Sequence, residues 1–168
     1  MLVAASNPCP CGYYGEGDRC TCSPAQRMTY ISKLSGPIMD RIDIQLWMHP
    51  VETSALVRGG KAEPSEAIAQ RVLRARAIQR NRFAGSGIFC NAEMNSKQLE
   101  KFCPLDDACK DLLESIIDKL GLSARAYTRI IKIARTIADL AESPYIQPQH
   151  LTEAALYRFL DRRNILDL

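Results

Sequence analysis

The stretch PLDDACKDLLESIIDKLG, residues 104–121, decides how the larger part of this chain is built. Leu105, Cys109, Leu112, Ile116 and Leu120 recur at i, i+4, i+7, i+11 and i+15, which is one apolar stripe along a helix. Pro104 opens that helix, and Asp106 and Asp107 fall in its first turn, where carboxylates suit the helix dipole. Gly121 stops it. Ser123 then starts a second helix that runs to about Ala141. Ala126, Ile130, Ile133, Ile137 and Leu140 form its expected buried stripe, with Arg125, Arg129 and Lys132 aligned beside it. Working outward, Ser65 caps a helix to about Phe83, Asn95-Ser96 starts a short one ending near Cys103, and Pro148 begins a last one to about Leu160.

The N-terminal part has another texture. Met1 to Ser6 reads as a strand with apolar residues on both faces, as in a buried parallel sheet. Ile42-Asp43-Ile44-Gln45-Leu46-Trp47-Met48 reads as a second strand, alternating at first. Ser23-Pro24 starts a helix to about Leu34, which Ser35-Gly36-Pro37 breaks. Residues 1–50 are therefore expected to be a fragment of an α/β layer and 51–64 a linker rich in Gly and Pro. Residues 65–168 are expected to be all helical, which makes the fold predominantly helical. The chain opens in mid-strand, from which we expect further sheet upstream.

Composition excludes some classes. The chain has 168 residues, 46% apolar and 24% charged, ordinary for a globular protein. No apolar run approaches a membrane span and no signal peptide is visible, so a cytoplasmic protein without a membrane partner is expected. Seven cysteines in that setting argue for thiols or metal over disulfides. The net charge of +3 is mild, but Arg71, Arg74, Arg76, Arg80 and Arg82 cluster with no acid among them. That helix is either a nucleic-acid contact through Arg71, Arg74 and Arg80 or a solvated charged face.

Cys9-x-Cys11 and Cys20-x-Cys22 stand eight residues apart, with Gly12, Gly15 and Gly17 between them. Residues two apart in an extended segment point the same way, so each pair can face one centre. Four thiolates around one Zn²⁺ make a closed structural site. Free thiols and disulfides are the alternatives. Cys90, Cys103 and Cys109 read as small buried hydrophobes, and His49 and His150 receive no role.

Asn7 follows the first strand, at the place where parallel sheets meet ligands. Its amide suits positioning a water against a phosphate, or it simply starts the turn before Pro8. Arg41 reads either as a cation reaching a neighbouring subunit's γ-phosphate or as a surface partner of Asp43. Arg125 begins a helix, where a cation opposes the dipole. An anionic ligand would offset that cost, and the plainer reading is a solvated face.

The string Leu2-Val3-Ala4-Ala5-Ser6-Asn7-Pro8-Cys9-Pro10-Cys11-Gly12-Tyr13-Tyr14-Gly15 resembles the magnesium-chelatase-like AAA+ ATPases of the ComM/YifB type. So do Cys20-x-Cys22-Ser23-Pro24 and Leu34-Ser35-Gly36-Pro37-Ile38-Met39-Asp40-Arg41-Ile42-Asp43. The same holds for Gly121-Leu122-Ser123-Ala124-Arg125-Ala126-Tyr127 and Ile133-Ala134-Arg135-Thr136-Ile137-Ala138-Asp139-Leu140. The resemblance covers essentially the whole chain and places it in the C-terminal third of such a protein. It implies that Asn7 is sensor 1, Arg41 the arginine finger and Arg125 the sensor-2 arginine of a helical lid. It further implies ATP and Mg²⁺ as cofactors, a homo-oligomeric and usually hexameric ring, and action on DNA in recombination and competence.

One departure is decisive. The chain holds no G-x-x-x-x-G-K-[ST] loop: Gly59-Gly60-Lys61 fails because position 55 is Ala. It has no apolar strand ending in Asp-Glu to hold Mg²⁺, and Ser6 stands where the family typically has Met. Alone, the chain is expected to hydrolyse no ATP, and its two strands, lacking the phosphate-loop strand between them, to be frayed, re-paired or intermolecular. The competing readings are a stand-alone zinc-containing nucleic-acid-binding module and a metal-chelatase ATPase subunit.

Overall fold

The computed structural model describes residues 1–158 apart from 34, 35, 40, 49, 50, 52, 60 and 61. The chain divides into two compact units, Met1–Ile42 and Asp43–Phe159. The described helices are α1 (Pro24–Ile31), α2 (Gly36–Met39), α3 (Thr53–Arg58), α4 (Ser65–Arg82), α5 (Ser96–Phe102), α6 (Asp107–Leu120), α7 (Ala124–Leu140) and α8 (Pro148–Leu156). Short 3₁₀ turns lie at Gly17–Arg19 and Asn91–Glu93. The last helix ends at Leu156, short of the expected Leu160; Leu160 itself, Leu34 at the expected end of the first helix, and the linker residues Pro50 and Gly60 lie outside the described residues.

No β-strand exists among the described residues, which overturns the expected α/β fragment. Residues 1–6 are extended, but Met1, Leu2 and Val3 project into solvent and no ladder pairs them. Residues 44–48 show why alternation alone does not make a strand. Ile44, Leu46 and Met48 face outward while polar Gln45 is buried. The Gln45 N–H donates to the Tyr157 carbonyl at 2.9 Å, so a helix end, not a sheet edge, holds this segment. A strand is a property of a pair, and neither segment has a partner strand.

The helices follow their local signals. Ser23 closes a capping box with Gln26 ahead of Pro24, and Asn95 does the same with Gln98. Ser123 caps α7 through the Ala126 N–H. Gly121 takes a left-handed conformation, φ 59°, which receives the end of α6 and which L side chains rarely adopt. Two helix starts differ from expectation. Asp106 is the cap of α6, accepting from the Cys109 N–H at 2.8 Å, so Pro104 lies before the helix and not in it. Pro64, not Ser65, precedes α4, and the linker contains the helix α3.

In the second unit α7 is the hub. It packs against α4, α5, α8 and the Asn91–Glu93 turn, and α6 packs on α8. The core is Phe83, Met94, Leu99, Cys103, Cys109, Leu113, Ile130, Ile131, Ala134, Ile146, Leu151 and Ala154. Phe83 meets Phe102 edge to face, centroids 5.4 Å apart. The expected stripes hold for the most part: Cys109, Ala126 and Ile130 are buried and Leu105, Leu112, Ile116, Ile133 and Ile137 pack against the core, but the buried arcs are wider than the stripes. Leu113 is the deepest residue of α6 after Cys109, and α7 buries Ala126, Ile130, Ala134 and Ala138 while Leu140 is exposed.

Candidate functional site

In the first unit the cysteine pairs converge. The Cys9, Cys11, Cys20 and Cys22 Sγ atoms all lie within 4.8 Å of one another. Cys9 to Cys11 is 3.3 Å, Cys11 to Cys20 is 3.7 Å and Cys9 to Cys20 is 3.9 Å. These distances are too long for disulfides, and all four thiols are free. A tetrahedral ZnS₄ group with Zn–S bonds of about 2.3 Å has S···S edges of about 3.8 Å. The residues therefore fit a Zn²⁺ ion, with Cys9 fully buried at its inner corner.

The loop earns this geometry locally. The Gly12 N–H donates to the Cys9 carbonyl at 3.0 Å, closing a turn around the first pair. Gly12 sits at φ +84°, a conformation that favours glycine. The Tyr13 amide, aimed at Cys11, is the main reason that its thiol falls to about 6; burial opposes this, and Cys9, Cys22 and the Thr21 amide assist. The shift favours the thiolate, the form that binds metal. At Cys22 the Cys11 amide favours the thiolate, but burial and the neighbouring Cys11 and Cys9 sulfurs outweigh it and push the thiol up to about 11.

Two cations flank the loop. The Arg19 guanidinium stacks on Tyr13 at 4.4 Å and pairs with Glu16 at 2.7 Å. Arg27 stacks on Tyr14 at 4.6 Å and donates to the Cys22 carbonyl at 3.3 Å.

Asn7 lies against this loop. A β-carbon at Gly12 would sit 3.7 Å from Asn7 Nδ2, so the amide rests over the Cys9–Gly12 turn. Asn7 is exposed. Arg41 is also exposed, its N–H donating to the Ile38 carbonyl at 2.9 Å. Its suggested partner Asp43 is bound elsewhere, to Arg129 at 2.9 Å.

In the second unit Arg125 stands exposed in the first turn of α7. Lys132 donates to the Ala92 carbonyl at 2.8 Å. Of the α4 arginines, Arg71 grips both oxygens of Glu63 and Arg74 pairs with Glu142 at 2.8 Å. Arg80 is exposed.

Sequence reading missed one polar centre. Asp139 is fully buried and accepts from Arg82 (one contact at 2.7 Å), from Asn91 at 2.8 Å and from Arg135 Nε at 3.1 Å. Arg135 also donates to the Pro144 and Ser143 carbonyls at 2.9 and 2.6 Å. The network ties α4, α7 and two turns together, and its polar groups are satisfied. The only trace in the sequence is that Arg135 and Asp139 are four residues apart on a largely apolar helix.

With this geometry in place, likeness to known proteins can be read. Residues 62–158 match the family described as magnesium chelatase, subunit ChlI C-terminal, and residues 1–56 match magnesium chelatase, subunit ChlI. The chain belongs to the magnesium chelatase ChlI family. It is 43% identical over 163 residues to the competence protein ComM of Haemophilus influenzae, a match covering 96% of this chain and 31% of that protein. It is 42% identical over 165 residues to the uncharacterized protein YifB of Escherichia coli, with the same two shares. An uncharacterized protein of Mycobacterium tuberculosis is 34% identical over 141 residues, 84% of this chain and 28% of that one. The chain spans about a third of the length of the curated relatives it matches. No helix among the described residues is long and apolar enough to cross a membrane.

Proposed function

We propose that this chain is the C-terminal segment of an ATP-dependent AAA+ ring motor that acts on DNA. The observation that carries the reading is the likeness to a competence protein over nearly the whole chain. In this reading Asn7 orients the attacking water, Arg41 reaches the γ-phosphate bound by the neighbouring copy, and Arg125 contacts nucleotide from the helical lid. ATP and Mg²⁺ are held by a phosphate loop outside these 168 residues, and the ring is a cytoplasmic hexamer. Zn²⁺ bound by Cys9, Cys11, Cys20 and Cys22 is structural. Four protein ligands leave it no open position, so it supplies folding energy to a Gly-rich loop and takes no part in hydrolysis. Arg71, Arg74 and Arg80 contact the DNA backbone: the Glu63 and Glu142 pairs are solvent-exposed and screened, and exchange readily for phosphate.

The test is ATP hydrolysis by the full-length polypeptide that carries this segment. Arg41→Ala should lower the turnover rate by about 10³-fold or more while the ring still assembles. Normal hydrolysis by an assembled Arg41→Ala ring ends the finger assignment. For DNA, Arg74→Glu with Arg80→Glu should weaken binding at low salt; unchanged affinity removes α4 as the contact.

A further inference from the structure

Helix α4 and its C-cap residue Phe83 carry one continuous stripe, Ile68, Val72, Ala75, Gln79 and Phe83, at i, i+4, i+7, i+11 and i+15. Only its second half is covered. Ala75, Gln79 and Phe83 are at most 4% exposed, whereas Ile68 and Val72 are 43% and 46% exposed. The first two turns thus overhang the core and leave β-branched residues wet. Arg71 and Arg76 flank the bare part of the stripe.

A complementary surface lies on the same unit. A groove of about 260 Å³ between α6 and the start of α7 has Leu105, Leu113, Ile117 and Tyr127 among its lining. Glu114 and Asp118 line it too, and neither carboxylate has an ion-pair partner among the described residues. The one cation that lines it, Lys110, is paired with Asp107 at 2.9 Å. The signs are therefore opposed. Of the five arginines of α4, Arg76 and Arg80 have no carboxylate partner among the described residues, and α6 has four acids (Asp107, Asp111, Glu114, Asp118) against two lysines.

We propose that these two surfaces bind each other between copies of the chain. Ile68 and Val72 of one copy enter the Leu105–Leu113–Ile117–Tyr127 groove of the next, and Arg76 faces Glu114. The two patches are different, so the contact is heterologous and runs head to tail. A second copy is the occupant because it carries both the apolar edge and the cations that the groove lacks. The contact needs no nucleotide and does not rest on the motor reading.

Sedimentation velocity of the 168-residue chain over a concentration series tests this without ATP. Wild type should show a sedimentation coefficient that rises with concentration. Val72→Asp and Glu114→Arg should each weaken association by about tenfold or more. Both positions are at the surface, and unchanged circular dichroism would show that the variants fold. The deciding sample is the equimolar mixture of Val72→Asp and Glu114→Arg. Each variant keeps one good face, so the mixture should form capped heterodimers that neither variant forms alone. Arg76→Glu should restore association to Glu114→Arg. A wild type that is monomeric at every concentration, a mixture no more associated than its components, or a Glu114→Arg, Arg76→Glu pair without rescue would each overturn the proposal.

Discussion

Replacing Asp139 by Asn changes almost no volume and removes one charge, and it should cripple the helical unit. The carboxylate is fully buried and Arg135 is 2% exposed. Burial holds the Arg135 guanidinium below its ordinary value, with Asp139 the chief opposing influence. Each Asp139 oxygen accepts two hydrogen bonds: Oδ2 from Arg82 and Asn91, Oδ1 from Arg82 and Arg135. An amide turns one of these acceptors into a donor that faces two other donors, and leaves two guanidinium groups with no counter-charge. Breaking a buried pair in this way costs about 3–5 kcal/mol. A domain of this size has about 5–15 kcal/mol in all. At about 4 °C per kcal/mol, the midpoint should fall by about 12–20 °C. Thermal and urea unfolding followed by circular dichroism would measure it, with Arg74→Ala as the control. The Arg74–Glu142 pair is more than half exposed on both sides, so its loss should fall within about 1 kcal/mol of wild type. If Asp139→Asn also lies within about 1 kcal/mol, the network is not what ties α4 to α7.

The purified chain should carry one Zn²⁺, measured by elemental analysis, and Cys20→Ser should lose it; a metal-free wild type that keeps its loop structure would remove the metal centre. Stability should fall as pH drops below about 6.5, the ordinary value for histidine: burial first, then Arg135, hold His150 below that value, so the unfolded chain binds the extra proton. His150 Nδ1 accepts the Gln147 N–H at 3.0 Å, so the proton would also break a cap, and urea midpoints flat between pH 7 and 5 would count against this. Gly121→Ala should cost about 1 kcal/mol in the same assay, because φ there is 59°.

Helix ends were legible because they are local. Ser23, Asn95, Ser123 and Gly121 act within four residues of themselves, and each does what its chemistry implies. The thiol centre was legible for the same reason, since two C-x-C pairs and three glycines lie within fourteen residues. The helix faces were less so. α7 touches three helices and a turn, so its buried arc is wide and includes Ala126, Ala134 and Ala138, whose small size permits close approach. The stripe through Ala126, Ile130, Ile133, Ile137 and Leu140 finds part of that arc, omits Ile131, Ala134 and Ala138, and puts exposed Leu140 inside. The Arg82–Asp139 pair spans 57 residues, and no local pattern announces it. The strands failed for the complementary reason. Apolar composition at 1–6 and alternation at 42–48 state a preference, but only a neighbouring strand turns extended backbone into sheet.

The two units solve one problem in opposite ways. Each holds polar groups in a fixed geometry, and each carries residues proposed to meet nucleotide. The helical unit has enough apolar surface to bury Asp139 and Arg135 and to cover most of Arg82, and α7 presents Arg125 from its first turn. Residues 7–23 have no such surface; among them only Cys9 is buried. Chain entropy there is opposed by Pro8, which fixes one dihedral between Asn7 and Cys9, and by the four converging thiols. With Zn²⁺ bound, the cluster would carry two net negative charges, and Arg27, held on Tyr14 and donating to the Cys22 carbonyl, is a cation beside one of the ligands. Asn7 is one residue removed from the first ligand and lies on the turn that the first pair closes. A metal at the four thiols would therefore brace the turn on which Asn7 lies, whereas the Asp139 network sits at the far end of α7 from Arg125.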